Sequence, residues 1–456
     1  MFSVVILCLT ALPAVAASRM EDVPLCVFAT GELNGVLAPC GCAPDQLGGL
    51  PRRATYLARH EGCTNRLLLD NGNLTAGFGP VEAMKVDTIL LALADMGYFA
   101  VNLGEQDFYL GLDAVKHLKD VTPAVHLLSA NVRHESGEEL AEPFAIWRGE
   151  GAPTVLVIGV LSQMYGPQLA ALRSGFVLDD PAVAMRRILA EQAGNVNLVV
   201  VLLRGPVAEA RELAKRFPQI GLLVAASDES EGTVERATGG PQLILVPGSD
   251  GEHVVSADLA PAAGGGWAAT PREVTPLTKN LADSPEIEKL LKAYQQRLFD
   301  ERLLDKIKRR PLGGGLKYVG NRACQPCHQM EYDLWSKLRH ADAYKTLVED
   351  GHQYDPDCVY CHVTGFGYDS GFRGEQDTPE LASVGCEACH HPGSRHVEAQ
   401  AVSLEEEEPY GAVAPADCLA CHTQARSPNF DYATDLPKID HWTKQEETTN
   451  GANGHQ

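Results

Sequence analysis

The chain is expected to fold as an α/β N-terminal domain followed by a small, mainly α, loop-rich C-terminal domain. Three observations predict this. From residue 25 to about residue 255, short apolar runs alternate with amphipathic stretches, the signature of a layered βα domain. Between Ser284 and Arg310 the alternation gives way to one helical pattern. From residue 321 onward long apolar runs are scarce, and Cys-x-x-Cys-His occurs four times, at 324–328, 358–362, 386–390 and 418–422. A chain of 456 residues is long enough for two or three separate cores.

Taken in order, the chain opens on an apolar run from Val4 to Val15 closed by Ala14-Val15-Ala16. Residues 1–16 therefore read as a secretory signal peptide, although the run has no Lys or Arg before it. Export from a bacterial cytoplasm follows, so the mature protein is expected to be periplasmic. No later run approaches the roughly 20 apolar residues of a membrane span. Strands are expected at 25–29, 67–70, 100–103, 125–129, 154–160, 197–203, 221–225 and 243–246. Helices are expected at 50–60, 81–96, 112–118, 181–192 and 207–217, all within a domain of residues 17–280. Gly264-Gly-Gly-Trp267 reads as a turn inside a last hairpin.

Residues 281–320 read as a connecting helix and a Gly-rich joint. Ser284 is placed to cap and Pro285 to occupy the first helical position. Ile287, Leu290, Leu291, Tyr294 and Leu298 then fall on one face. Arg309 and Arg310 complement the helix C-terminus, and Pro311-Leu-Gly-Gly-Gly315 forms a flexible joint. The last domain spans 321–445, and the polar tail 446–456 is expected to be disordered.

Cys-x-x-Cys-His is the c-type haem attachment signal. Two thiols, Cys324 and Cys327, Cys358 and Cys361, Cys386 and Cys389, or Cys418 and Cys421, add to the vinyl groups of one haem. The following His328, His362, His390 or His422 ligates the iron from below. A zinc ribbon also uses Cys pairs but does not require a His after each second Cys. Four haems c in so short a segment would form most of its core. The formal net charge is −22 over the chain, and residues 321–456 hold 23 acidic against 9 basic side chains. This balance speaks against nucleic acid and anionic membrane surfaces and suits a redox protein that meets basic partners.

Further motifs show that the C-terminal segment resembles the cytochrome c-554/c-prime family of multihaem domains. They are Trp335 five residues before His340, Cys358-Val-Tyr-Cys-His-Val-Thr-Gly-Phe366, Gly385-Cys-Glu-Ala-Cys-His-His-Pro-Gly-Ser-Arg-His396, and the 418–422 motif followed by His441. Met330 is the only methionine of the segment, so bis-His coordination is expected to be general. Beyond the proximal ligands the segment holds His340, His352, His391, His396, His441 and His455. His391 adjoins a proximal ligand and His455 lies in the tail. The resemblance supports His340, His396 and His441 as distal ligands, with His352 a weaker candidate. Three strong candidates for four irons leave one open unless His352 or an imidazole of the N-terminal domain fills it, and by resemblance the open one is the second haem, above His362.

The N-terminal half resembles the 5′-nucleotidase-like branch of the calcineurin-type metallophosphatases, which implies an α-β-β-α sandwich. The resemblance rests on Thr30-Gly-Glu-Leu-Asn-Gly35, Asp70-Asn-Gly-Asn73, Gly104-Glu-Gln-Asp-Phe108 and Ser129-Ala-Asn-Val132, in the family's order and spacing. The ligands depart from it. Metal-binding positions become Glu32, Asn34, Asn73 and Glu105-Gln106, and later His motifs become Leu203-Arg-Gly205 and Ala226-Ser-Asp-Glu229. Two-metal phosphoryl chemistry needs a dense ligand set. Asp70, Glu32, Glu105, Asp107 and Asp228 are the residues left to hold a further metal ion, and loss of phosphatase catalysis is expected. Cys26, Cys40, Cys42 and Cys63 add four thiols. They read either as structural disulfides or, for Cys40 and Cys42, as a metal-binding or redox-active pair at the old cleft, with Arg52 and Arg53 near enough to act on it.

The leading expectation is an electron-transfer protein whose phosphatase-like domain docks a periplasmic redox partner. The alternative is an oxidoreductase that acts on a small nitrogen or sulfur compound at the open haem or at the Cys40/Cys42 cleft. A metal-dependent phosphoesterase is the weakest of the three.

Overall fold

The computed structural model describes residues 25–39, 45–60, 62–226, 231–262, 267–401, 410–424 and 426–441. The expected signal peptide, the 446–456 tail, Cys40, Cys42, Asp228 and His455 lie outside the described residues.

Two six-stranded sheets build the N-terminal domain. The first runs Trp267–Pro276, His253–Pro261, Leu25–Thr30, Asn65–Asp70, Ala100–Asn102, His126–Leu128. Its last four strands are parallel, and the 253–276 hairpin adds antiparallel at one edge. The second runs Thr233–Arg236, Leu243–Val246, Ile220–Ala226, Leu198–Pro206, Val155–Leu161, Phe144–Trp147, with a parallel centre and antiparallel edges.

Alternation along each strand decides the layers, since successive side chains point to opposite faces. Val27, Leu67 and Leu69 of the first sheet meet Val157, Val200 and Leu222 of the second in a shared core. Phe28, Leu68 and Val101 face the other way, onto Leu57, Ile89 and Leu93 of the helices Leu50–Ala58 and Pro80–Asp95. On the far side Ile158, Val201 and Leu223 pack under Met185 and Ile188 of Pro181–Gln192 and Leu213 of Val207–Arg216. The strands are buried on both faces, which is why they read as continuous apolar runs. The result is the four-layered α-β-β-α sandwich expected.

Several elements differ from the sequence reading. The short strands Val132–His134 and Phe176–Leu178 pair with each other, and Phe144–Trp147 and Thr233–Arg236 are edge strands. All four are short and only partly buried, so they carry little periodicity. The helix after Ser284 covers Pro285–Asp300 and stops well before Arg309, because Arg302 turns left-handed at φ 52°. It belongs to the N-terminal domain, where Ile287 joins the core of the first sheet.

The joint is pinned to the C-terminal domain. Arg310 N–H donates to Gly367 O at 3.1 Å, its guanidinium lies 4.6 Å from the Tyr368 ring centre, and Lys317 and Tyr318 N–H donate to Ser394 and Ser370 hydroxyls. Arg310 thus serves Tyr368 and not a helix end.

Short helices joined by loops make up the C-terminal domain: Asn321–Cys324, Gln329–Trp335, Ala343–Asp350, Pro356–His362, Cys386–His390, Ser394–Ala401, Pro415–Leu419 and Tyr432–Ile439. Among the described residues its buried apolar side chains form one small cluster of Tyr344, Leu347, Val359, Val363, Phe372 and Leu381. So small a core is too little for a domain of this length unless something else fills it.

Candidate functional site

In the C-terminal domain the short helices bring six imidazoles into three facing pairs. Ring centres of His328 and His396 are 6.2 Å apart, those of His340 and His422 6.2 Å, and those of His390 and His441 5.8 Å. An iron between two imidazoles requires two metal–nitrogen bonds of about 2 Å each plus half of each ring, on the order of 6 Å between centres. The spacing therefore fits one metal per pair. Each pair joins a His of an attachment motif to a His far away in sequence.

Backbone and side-chain acceptors hold the outer nitrogens. His390 Nδ1 lies 2.7 Å from Gly411 O, His362 Nδ1 2.6 Å from Ala343 O, and His422 Nδ1 3.0 Å from Ser427 Oγ. Such bonds fix the tautomer and leave Nε2 for a metal. Burial pushes His340, His390 and His422 below the ordinary imidazole range, favouring the neutral ring that ligation needs. Tyr410 stacks on His396 at 4.7 Å and Phe430 on His422 at 4.4 Å. Neither aromatic was marked by the sequence pattern, because each is placed by a loop.

Between these rings lies a cleft lined by Cys324, His328, Trp335, His340, Cys386, His390 and His441 among others. Its apolar walls and thiol-bearing edges fit covalently held haem. Thiols of different motifs also meet. Cys324 is within hydrogen-bonding reach of Cys386 and Cys361 of Cys421, while Cys389 neighbours Cys418. Glu387, 2% exposed, ties the start of the domain to the third motif by accepting N–H bonds from Val319, Gly320 and Gly393.

His362 is different. Among the described residues no imidazole faces it as the other three motif histidines are faced. His352 sits in the turn between Ala343–Asp350 and Pro356–His362, its N–H bonded to Leu347 O at 2.8 Å. His391 has a positive φ of 65° and its Nε2 lies 3.7 Å from Asp417 Oδ2.

In the N-terminal domain the motif residues converge at the C-terminal ends of the parallel strands, where open α/β sheets bind ligands. Gly72, at φ 84°, allows the 70–73 turn to approach Asn102 O so closely that a Cβ there would stand 2.2 Å away. Glu32, Asn34, Asn73 and Asp250 all take left-handed backbone conformations, φ 50–55°. Strain of this kind clusters at functional sites.

The side chains held there are engaged by two arginines. Arg204 donates from Nε and Nη2 to Glu105 at 2.8 and 3.0 Å, and its Nη1 lies 3.1 Å from Glu32. Burial works against that charge, but Glu105 and Glu32 raise the Arg204 pKa above its ordinary value. Arg53 is fully buried, 3.5 Å from Asp70, which also accepts from Thr30 Oγ1 at 2.6 Å. Asp107 turns its carboxylate to the backbone N–H groups of Asn73, Leu74 and Gly104. Glu32 and Glu105 thus share Arg204 while Asp70 and Asp107 face other partners, and among the described residues no group of three or more His, Cys, Asp or Glu is arranged to hold a metal. Arg53 is turned inward onto Asp70 and is not a solvated surface residue. Arg52 donates to Gln46 O at 2.7 Å instead.

Cys26 and Cys63 form a disulfide across 37 residues.

Residues 323–391 match the family described as cytochrome c554 and c-prime. Cytochrome c-554 of Nitrosomonas europaea is 34% identical over 97 residues, 18% of this chain and 41% of that relative. The chain therefore spans less than half the length of the curated relative it matches. Such a family implies covalently bound c-type haem. Solved structures resemble the N-terminal part. The calcineurin-like phosphoesterase YfkN of Bacillus subtilis aligns with TM-score 0.51 and 18% identity over 61% of this chain and 99% of its own. A 5′-nucleotidase precursor of Thermus thermophilus aligns with TM-score 0.51 and 21% identity, over 66% and 63%. The sulfate thiohydrolase SoxB of Thermus thermophilus aligns with TM-score 0.51 and 16% identity, over 60% and 61%. At these identities the likeness is one of fold: a mixed α/β domain resembling calcineurin-like phosphoesterases, joined to a mostly helical cytochrome c554-like region.

Proposed function

We propose that the protein is an exported, periplasmic tetrahaem c-type cytochrome that carries electrons between redox partners. Four haems attach at Cys324/Cys327, Cys358/Cys361, Cys386/Cys389 and Cys418/Cys421. Three irons take the pairs His328/His396, His390/His441 and His422/His340. The observation that carries this reading is the three imidazole pairs at 5.8–6.2 Å. Haem supplies one-electron chemistry, and bis-His ligation favours low potentials. Meeting thiols support a first–third–fourth–second order of haems along the electron path. The acidic C-terminal domain suits a basic partner, met through long-range steering.

The phosphatase-like domain has lost its catalysis in this reading and serves docking or recognition. Support comes from Arg204, whose guanidinium takes up the Glu32 and Glu105 carboxylates that a metal would need. Metal analysis of the haem-loaded protein and assays on nucleotides and a phosphodiester test this. Hydrolysis that depends on an added divalent ion would restore the phosphoesterase reading.

A second reading, an oxidoreductase acting on a small nitrogen or sulfur compound, is favoured by the absence of a facing imidazole at His362 among the described residues. Haem content per chain and electron paramagnetic resonance of the oxidised protein decide between the two. The open site predicts four haems, three low-spin and one high-spin, and nitric oxide binding at the high-spin haem would favour the second reading over the first. Four low-spin haems would remove the open site, and fewer than four haems would remove the tetrahaem assignment.

A further inference from the structure

Contacts that cross between the domains converge on the segment carrying the second haem motif. Lys85, on Pro80–Asp95, is 5% exposed, an unusual position for a lysine. Its Nζ lies 2.8 Å from Glu82 Oε1 and also bonds Asp357 Oδ2 of the other domain. Asp357 directly precedes Cys358 and sits in the first turn of Pro356–His362, the helix that bears Cys358, Cys361 and His362.

The same helix is held at its start by the connecting helix. Asp355 caps it, accepting Asp357 N–H at 3.1 Å, and also accepts Tyr294 Oη at 3.2 Å and Gln295 Nε2 at 3.3 Å. Beside it Tyr354 packs against Phe299, ring centres 4.7 Å apart, and against the cluster of Val81, Met84, Tyr294 and Leu298. Burial alone would discharge Lys85, but Asp357 and Glu82 hold its pKa above the ordinary lysine value, so the cation persists at neutral pH.

We propose that Lys85 is a positioning residue for the second haem, a buried cation by which the N-terminal domain sets that haem's site and potential. This rests on the reading that the haem at Cys358 and Cys361 is the one without a distal imidazole. The N-terminal domain then has a role that needs no metal: it forms the seat of the reactive haem. The network also reaches the old cleft. Glu82 Oε2 accepts Thr75 Oγ1 at 2.5 Å, and the Thr75 N–H points at Asp107 Oδ1 at 3.4 Å.

The test uses the full-length, haem-loaded chain and its redox titration, followed optically, in the wild type, K85M, K85R and D357N. A neighbouring cation repels the ferric haem more than the ferrous one, which carries one positive charge fewer, so K85M should lower one midpoint of the four. D357N removes an anion and should raise the same midpoint, while K85R should keep it near the wild-type value. Nitric oxide binding to the high-spin haem should change in K85M by about tenfold or less and be restored in K85R. Four unchanged midpoints in both K85M and D357N would overturn the proposal. A uniform shift of all four, or a shift of the same sign in K85M and D357N, would mark a general structural defect and overturn it too. Should K85M fail to fold, the D357N and K85R arms decide alone. The reading beneath it fails separately, if the wild-type spectrum holds no high-spin haem.

Discussion

Replacing Arg204 with Ala tests how the N-terminal cleft is held together. Arg204 makes three charged contacts of 2.8–3.1 Å to Glu105 and Glu32, and the two carboxylates are 4% and 7% exposed. Truncation leaves both as buried anions without their counter-charge. Breaking a buried pair in this way costs about 3–5 kcal/mol. For a domain of this size that is a fall of roughly 6–20 °C in melting temperature, read by calorimetry on the haem-loaded protein. The same vacancy of charge gives a second arm. If the guanidinium stands in for a metal, added Mn²⁺ or Ca²⁺ should stabilise R204A and leave the wild type unchanged, by about 2.7 kcal/mol at a hundredfold excess over Kd. A variant that also neutralises both acids, E32Q/E105Q/R204M, should recover much of the loss without responding to metal. A loss below about 1 kcal/mol, as for an exposed pair, together with no metal response, would refute the reasoning.

Three further outcomes are expected. Exchanging His441 for Met should raise the midpoint of one haem, since Met/His ligation carries a higher potential than bis-His; an unchanged titration curve would remove His441 as a ligand. The C26S/C63S variant opens a 37-residue loop, so chain entropy predicts a loss of about 4 kcal/mol, and equal urea midpoints with and without the bridge would contradict this. Burial lifts Asp107 from 3.8 to about 7 against the pull of its backbone N–H donors, so the folded state binds that proton more tightly than the unfolded chain. Its contribution is complete below about pH 4 and is lost as pH rises toward 7, on the order of 4 kcal/mol over the window. D107N should flatten that part of the stability–pH curve, and a wild-type curve that rises from pH 4 to 7 with the same slope in D107N would sink the assignment.

The Cys-x-x-Cys-His motifs were legible because they are local: two thiols and an imidazole within five residues need no tertiary partner to be recognised. The sheets were legible for a related reason, since Leu67–Leu69 or Val199–Val201 can only be this apolar if both faces are covered. Short edge strands such as Phe144–Trp147 escaped notice because half-exposed segments carry weaker patterns. Arg204 stood out only as a departure from a motif, and Arg53 looked like a neighbour of the Cys40 and Cys42 thiols. That both arginines are buried against carboxylates depends on loops from separate strands meeting at one end of the sandwich.

By itself, then, the sequence determined the chemistry the chain can attach and the layers it can fold into. Covalent motifs and residue periodicity are written over a few neighbouring positions. Only the tertiary structure decided which imidazole faces which, that His362 is left without a facing partner among the described residues, and that Lys85 reaches Asp357. Those pairings span 51 to 272 residues of chain, and a contact at such separation is set by how the domains pack, which no local pattern records.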